Sequence, residues 1–269
     1  MTFSDLYEIY GGFRTPTFTL QVSGKTLDVG RGVRLERLEC RLTTQREAGS
    51  LTLAAELEPG SEGETAWLEA VQLGAVCTLA LGYRRKEKTV FSGFVYEAVW
   101  DDPLGGSRIL EMTSLDVRGQ LMLSCSADAG AARTLGQLVK TLLDQSCCTR
   151  MAEAKIQAIP SDWDLPVARG EKTDFSFLCG AADWLCYEFY AFGTEAYFGP
   201  ARPRTGAAVT FSGPNGLIRL RRRRTLAGQC AAVAVSGADD TGARIYARAA
   251  RARDVGVGVK SAASALALD

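Results

Sequence analysis

The 269-residue chain contains no histidine. Its absence excludes Ser-His-Asp and Cys-His nucleophiles, and it also excludes the iron site built from two histidines and a carboxylate. Histidine is the commonest general base, so any catalysis would depend on other side chains. The sequence also lacks a CxxC pair and a GxxxxGK[ST] loop, so we expect neither a metal site nor a cofactor.

Long apolar runs are absent as well. No window of about 18 apolar residues occurs, so we expect no membrane anchor. The N-terminal stretch MTFSDLYEIYGGF has no basic segment followed by an apolar one, so a secretory signal is not indicated. Synthesis in the cytoplasm as a soluble protein is the expectation.

The eight cysteines are scattered along the chain. Most lie in apolar runs such as VCTLALG and FLCGAADWLC. Such cysteines usually behave as small apolar residues that stay reduced, so we expect them to be buried and unpaired.

Charge is balanced overall but unevenly distributed. Residues 200–269 contain 12 Lys and Arg against 4 Asp and Glu, a net charge of +8, which leaves −8 for the rest of the chain. Within the basic part, Arg219 precedes four consecutive arginines, Arg221, Arg222, Arg223 and Arg224. This asymmetry needs a functional explanation.

Apolar alternation predicts a mainly β fold with an α+β insertion. After an aromatic-rich lead over residues 1–13, residues 14–123 carry about six strands joined by short turns, which is typical of an antiparallel barrel or sandwich. Residues 124–200 differ, because helical spacing follows a possible N-cap at Thr134 and recurs from Asp174 to Leu185. A hairpin is predicted at Gly193–Thr194, and residues 201–269 return to strand patterns.

The segment LIRLRRRRTLAG, which contains the arginines, is predicted to be a strand at an exposed edge, a subunit interface or a channel wall. Nucleic-acid binding would favour aromatic residues interleaved with the basic ones. No aromatic residue lies between Phe211 and Tyr246, so we expect no specific nucleic-acid partner.

Three passages resemble the baseplate hub proteins of contractile phage tails and injection systems, the late control protein D and VgrG family. The passages are GYRRKEKTVFSGFVYEAVWDD with SRILEMTSLDVRGQLM, EKTDFSFLCGAADWLCYEFYAFGTEAYFG, and GPNGLIRLRRRRTLAGQCAAVAVSGAD. Their order resembles the family over roughly residues 14–260. The core positions of the family motifs are Tyr83, Phe91, Gly93, Asp116, Phe177, Leu178, Tyr187, Phe189 and Tyr197.

The resemblance implies two tail-tube-like antiparallel β-barrels, at residues 14–123 and 201–269, with the α+β module of residues 124–200 between them. It further implies a homotrimer whose six barrels match a sixfold tail tube above and a threefold spike below. Expected partners are the tail tube or a tube-initiator protein, a separate spike protein and baseplate wedge proteins. The protein would be part of a phage tail, a tailocin or an injection-system particle, and it would not be an enzyme.

Longer members of the family continue into a further domain and a spike. The chain is therefore either a short form, whose spike is a separate protein, or an incomplete sequence, and the residues leave both open.

Three alternatives remain at the level of sequence. One is a distal tail hub protein of a non-contractile phage. Another is a cell-wall hydrolase that uses carboxylates such as Asp162 and Asp164, or Asp101 and Asp102, although the DWD motif is also typical of a linker that caps a turn. The third is a nucleic-acid-binding protein that uses the arginines.

Overall fold

The computed structural model describes residues 3–84, 86–125, 133–167, 170, 172–202 and 217–223, together with 232–233, 236–238, 242, 244–246 and 250–251. The chain divides into two compact units, Met1–Phe211 and Ser212–Asp269.

The first unit is built on a seven-stranded antiparallel sheet that curls into a half-barrel. Its strands are β1 (Pro16–Val22), β2 (Lys25–Thr26), β3 (Val33–Arg41), β4 (Ser50–Leu57), β5 (Val76–Tyr83), β6 (Lys86–Asp101) and β7 (Arg108–Asp116). Their spatial order is β2-β1-β5-β6-β7-β4-β3. Among the described strands, the terminal pair β2 and β3 do not hydrogen-bond to each other, so the sheet is open. The predicted mainly β fold is confirmed, and the predicted barrel is not.

The long strand β6 bends at two bulges. The register shifts between Leu79 and Ala80 of its partner β5, and again between Val95 and Glu97 of β6 itself. An extra residue at a bulge bends a strand and increases its twist. The two bulges therefore contribute to the curl of the sheet.

A core of alternating residues fills the concave side of the half-barrel. Along β4, Leu51, Leu53, Ala55 and Leu57 are buried, and the residues between them are partly exposed. Helix α2 (Glu62–Ala70) covers this core with the buried side chain of Trp67. The sequence predicted strands joined by short turns over residues 14–123 and no helix at this place. The helix begins because the Ser61 side chain accepts a hydrogen bond from the Glu64 backbone N–H.

An α+β module packs beside the sheet in the same unit. Its helices are α3 (Val117–Leu123), α4 (Leu135–Leu143), α5 (Ser146–Thr149) and α6 (Asp174–Trp184), and its strands are β8 (Arg133–Thr134), β9 (Glu153–Ile156), β10 (Pro166–Val167), β11 (Tyr187–Phe192) and β12 (Glu195–Pro200). Strands β11, β12 and β9 form a three-stranded sheet in that order, and β8 pairs with β10.

The predicted elements of this module are largely confirmed. Helix α4 has Thr134 as its N-cap in a complete capping box, and α6 and the β11–β12 hairpin lie where the spacing placed them. The strand pattern predicted for residues 14–123 ends at Asp116, because the residues that follow form α3. The side chain of Asp116 accepts a hydrogen bond from the Arg118 backbone N–H, which ends β7 and starts α3.

The N-terminal lead forms helix α1 (Phe3–Ile9) and a short 3-10 turn at Gly11–Phe13. Its aromatic rings pack against the end of β5, where the Phe13 and Tyr83 rings lie 5.1 Å apart, edge to face.

The second unit shows four short strands among its described residues: β13 (Ala232–Val233), β14 (Ser236–Ala238), β15 (Arg244–Tyr246) and β16 (Ala250–Arg251). They pair antiparallel as β13 with β16 and β14 with β15. A second barrel over residues 201–269 stays a prediction.

The longest helix in the described part of the chain, α6, has 11 residues. A membrane-spanning helix needs about 20 apolar residues, so none of the described helices is a candidate.

Candidate assembly interface

Asp116 fastens the half-barrel to the α+β module. Its carboxylate accepts hydrogen bonds from the backbone N–H of Arg118 at 2.8 Å and from that of Gly49 at 2.8 Å. The Asp116 backbone N–H donates in return to the Gly49 carbonyl at 3.0 Å. A side chain on Gly49 would come within 2.7 Å of the carboxylate, so the close approach requires glycine.

The Arg118 side chain completes this cluster. Its Nη2 and Nε donate to Asp116 Oδ2 at 2.7 and 3.0 Å, and both side chains are buried. Nη1 donates to the Gln45 carbonyl at 3.4 Å. Buried charges of opposite sign that are also hydrogen-bonded hold a fixed geometry.

These contacts hold the connection between β3 and β4 in place. We call residues 42–46 of that connection the clasp loop. The next residue of the loop after Gln45, Arg46, forms an ion pair with Asp183 of α6. The clasp loop thus contacts α3 through Gln45 and α6 through Arg46. It connects the half-barrel to the α+β module.

A second contact between the half-barrel and the α+β module lies at the β11–β12 hairpin. Gly193 in its turn has a φ of 57°, and its backbone N–H donates to the Val90 carbonyl of β6 at 3.0 Å. A Cβ at this position would lie 2.8 Å from the Thr89 carbonyl oxygen. The hairpin tip therefore docks on the first bulge of β6 by direct backbone contact.

The structure places the family-motif residues mainly in these cores and contacts. Gly93 lies where β6 meets β7, and a Cβ there would come within 2.1 Å of the Leu115 carbonyl oxygen. Five of the others have buried side chains: Phe91, Asp116, Leu178, Phe189 and Tyr197. Tyr83, Phe177 and Tyr187 are partly exposed, and the Tyr187 hydroxyl donates to the Ala158 carbonyl at 2.8 Å.

Two of the outer strands of the unit, β3 of the half-barrel and β11 of the three-stranded sheet, differ in chemistry. On β3, arginines alternate with glutamates, and Arg34 pairs with Glu36 and Glu56, while Arg37 pairs with Glu39. Alternating charge on an edge strand opposes pairing with another chain. The β11 edge is aromatic instead, with Phe192 55% exposed at its end and Glu188 as its one charged residue.

A groove runs between β11 and the clasp loop. Its outer part has a volume of about 440 Å³ and lies between residues 42–45 and 190–192. A smaller part of about 160 Å³ continues inward between residues 44–46 and 187–189. Both parts share Thr44 and Gln45, so they lie end to end along the clasp loop.

The arginine segment is exposed. The sequence predicted a strand over it, but Leu217–Arg223 form neither helix nor strand, and Arg224 lies outside the described residues. Adjacent guanidinium groups repel one another, and a strand needs a neighbour to satisfy its backbone groups. Arg219, Arg221, Arg222 and Arg223 are all exposed, so their place at a subunit contact or channel wall stays a prediction.

Two of the four carboxylates considered for hydrolysis take structural positions, whereas Asp101 and Asp162 are exposed. Asp164 Oδ1 accepts a hydrogen bond from the Gly136 backbone N–H in the first turn of α4 at 2.7 Å. Asp102 pairs with Arg108, which also reaches Glu64 at 3.0 Å. Within the described residues, no group of three or more histidine, cysteine, aspartate or glutamate side chains could hold a metal ion.

The cysteines only partly match the expectation. Cys77 and Cys148 are buried, whereas Cys125 and Cys186 are exposed. Burial raises the pKa of the Cys77 thiol to about 12. Burial, followed by the nearby Asp116 carboxylate, raises the pKa of Cys40 to about 11. These two thiols stay protonated near neutral pH and are poor nucleophiles.

No protein-family model and no curated protein sequence matches the chain. Solved structures do. The tail protein from Neisseria meningitidis MC58 superposes with a TM-score of 0.56 at 14% identity, covering 87% of this chain and 68% of that one. Prophage tail protein gp18 from Listeria monocytogenes EGD-e gives 0.53 at 11% identity, covering 88% and 68%.

A third structure is the 43 kDa tail protein of prophage MuSo2 from Shewanella oneidensis, with a TM-score of 0.50, 15% identity, and coverage of 70% of this chain and 56% of that one. The chain has the fold of phage tail proteins. This tail-protein fold confirms the resemblance seen in the sequence at the level of architecture. The chain spans between 56% and 68% of the length of these three tail proteins.

Proposed function

We propose that the protein is a structural hub of a phage tail or related contractile particle. In this role three copies form a ring that adapts a sixfold tail tube to a threefold spike. The observation that carries the proposal is the fold shared with tail proteins from three bacterial sources. The partners are then the tube or its initiator, a spike protein and baseplate wedge proteins.

The internal build of the first unit supports a structural role. An adaptor has to hold its contact surfaces in fixed positions while load passes through it. The Asp116 cluster and the Gly193 contact join the half-barrel to the α+β module by buried charge and direct backbone hydrogen bonds. Two of the four carboxylates considered for a hydrolase, Asp164 and Asp102, are engaged in helix capping and ion pairing.

The first experiment is the absolute mass of the purified chain by light scattering at two concentrations. A mass of three times the 28.9 kDa chain at both concentrations is the expected result. A monomer at both concentrations would contradict the ring. Imaging of the trimer mixed with separately produced tube and spike proteins then tests the adaptor role. Co-purification of the protein with the sheath protein of a contractile tail tests whether the particle is contractile.

A further inference from the structure

We propose that the groove beside β11 binds residues 217–223 of a second copy of this chain as an added strand. The inference rests on the proposed function, because it names a contact by which copies would form the ring. It also gives a role to the arginine segment, which is exposed and forms neither helix nor strand.

The β11 edge offers backbone groups for pairing. Among the described strands, β11 hydrogen-bonds only to β12. In a hairpin with a two-residue turn, the residues flanking the turn form a hydrogen-bonded pair, here Phe192 and Glu195. The alternation then directs the backbone N–H and C=O groups of Ala191 and Phe189 away from β12, toward the groove. An extended segment can accept and donate there, as in β-strand addition.

The clasp loop forms the wall of the groove opposite β11, and contacts at residues 45 and 46 hold it. The clasp loop is fixed by the Gln45 carbonyl on Arg118 and by the Arg46–Asp183 ion pair. A site that needs no ordering on binding loses less conformational entropy, so more of the contact energy is available for association.

The proposed occupant fits the groove in length and pattern. Residues 217–223 and the strand Tyr187–Phe192 have comparable lengths, about 20 Å when extended. Ile218 is 100% exposed and Leu220 is 70% exposed, and in an extended chain they share one face. Two exposed aliphatic side chains can therefore be buried together against the exposed rims of the groove, Leu42 and Phe192.

Charge supports the same pairing. Glu188 lines the inner part of the groove and takes part in no ion pair among the described residues. The arginines of the segment would lie beside it. The wider surfaces match as well, since residues 200–269 carry a net charge of +8 and residues 1–199 carry −8.

A second copy is the favoured source because the groove and the segment are different surfaces. When one patch of each subunit binds a different patch of the next, contacts repeat head to tail and can close into a ring. The alternating charges on β3 oppose strand addition at that edge of the half-barrel, whereas β11 carries a single charged residue.

Photo-crosslinking of the full chain tests the contact directly. Ile218 is replaced by p-benzoylphenylalanine, and Leu73, which is 71% exposed in the first unit, receives the same replacement as the control. We expect position 218 to give covalent dimers and trimers whose linked peptides contain residues 42–45 or 189–192. Links from position 218 that occur only within one copy, or that map to other surfaces, would overturn the proposal.

Light scattering of matched variants separates this contact from the ring itself. Phe192→Asp and Ile218→Asp should each weaken association at least 10-fold, and Leu104→Asp, at a fully exposed hairpin tip, should not. If the wild type and the Phe192→Asp and Ile218→Asp variants are equally stable trimers, the proposed contact is overturned, whereas the proposed ring is retained. A wild type that is monomeric at both concentrations would overturn the contact and the proposed hub together.

Discussion

The carboxylate of Asp116 joins parts of the chain that are 67 residues apart in sequence. It accepts from Gly49 on the strand side and from Arg118 on the helix side. The sequence resemblance marked Asp116 as a motif residue without indicating why. The structure supplies the reason, because this side chain ends β7, starts α3 and holds the Arg118 guanidinium that donates to the clasp loop.

Removing this carboxylate should be costly. In Asp116→Ala the buried Arg118 guanidinium loses its partner, and breaking a buried pair in this way costs about 3–5 kcal/mol in the free energy of unfolding. All four tryptophans lie in the first unit, so urea titration followed by tryptophan fluorescence reports on it. Glu39→Ala, which removes half of an exposed pair, is the control and should unfold close to the wild type. Equal midpoints for the two variants would contradict the role of Asp116.

Some glycine positions in the first unit have no room for a Cβ atom, and others have open space there. A Cβ on Gly93 would lie 2.1 Å from the Leu115 carbonyl oxygen, whereas a Cβ on Gly180 in α6 would meet nothing within 4 Å. We expect Gly93→Ala to destabilise the unit by at least about 1–3 kcal/mol through forced strand separation. Gly180→Ala should stabilise it by about 0.5–1 kcal/mol. The same urea titration checks both, and changes of the same sign would refute the expectation.

At the scale of the element, helix α4 depends on a residue outside it. Asp164 supplies an acceptor to the first turn of α4, in addition to the Thr134 cap. Asp164→Ala should therefore lower the free energy of unfolding by about 1 kcal/mol, as the loss of a capping side chain does. Asp162→Ala removes an exposed neighbour and should have little effect. A similar loss in both variants would mean that the DWD motif acts in some way other than capping.

The sequence predicted elements well where local signals decide the structure. Thr134 with Gln137 three residues later is a local capping signal, and Gly193–Thr194 is a local turn signal. Helices α2 and α3 were missed because their strand-like or turn-like composition is overridden by the caps Ser61 and Asp116. Closure of the barrel could not be judged either, because it depends on pairing between distant strands.

The candidate interface was less accessible to sequence analysis. The arginines are obvious in the sequence, but they do not form the predicted strand over residues 217–223. The groove depends on the clasp loop, whose position follows from Gly49, Arg118 and Asp183. Only the D-x-R pattern at Asp116 could have indicated it, and that pattern names no partner.

At the scale of the whole molecule, stability should depend on alkaline pH through buried thiols. Burial raises the pKa of Cys77 from an ordinary value of 9.0 to about 12. Between these values the unfolded chain loses the thiol proton while the folded chain keeps it. The stabilisation is therefore complete below pH 9, and it falls by about 1.4 kcal/mol per pH unit above it.

Urea titrations in reducing buffer at pH 8, 9 and 10 test this dependence. Cys77→Ala removes the titrating group, so its free energy of unfolding should fall less steeply between pH 9 and 10 than that of the wild type. Parallel pH profiles for the two proteins would show that the Cys77 thiol ionises as readily in the folded chain as in the unfolded one.

The order of strands in the half-barrel has a consequence for how the chain is made. Strand β1 pairs with β5, and β4 pairs with β7. During synthesis, Pro16 therefore cannot pair until Tyr83 has been made, and Ser50 cannot pair with β7 until Leu115 has been made. Until β7 has left the ribosome, the apolar side of β4 has no complete cover, and such nascent chains are prone to aggregation. Chaperone demand should thus be greatest between the emergence of β4 from the ribosome and the emergence of β7.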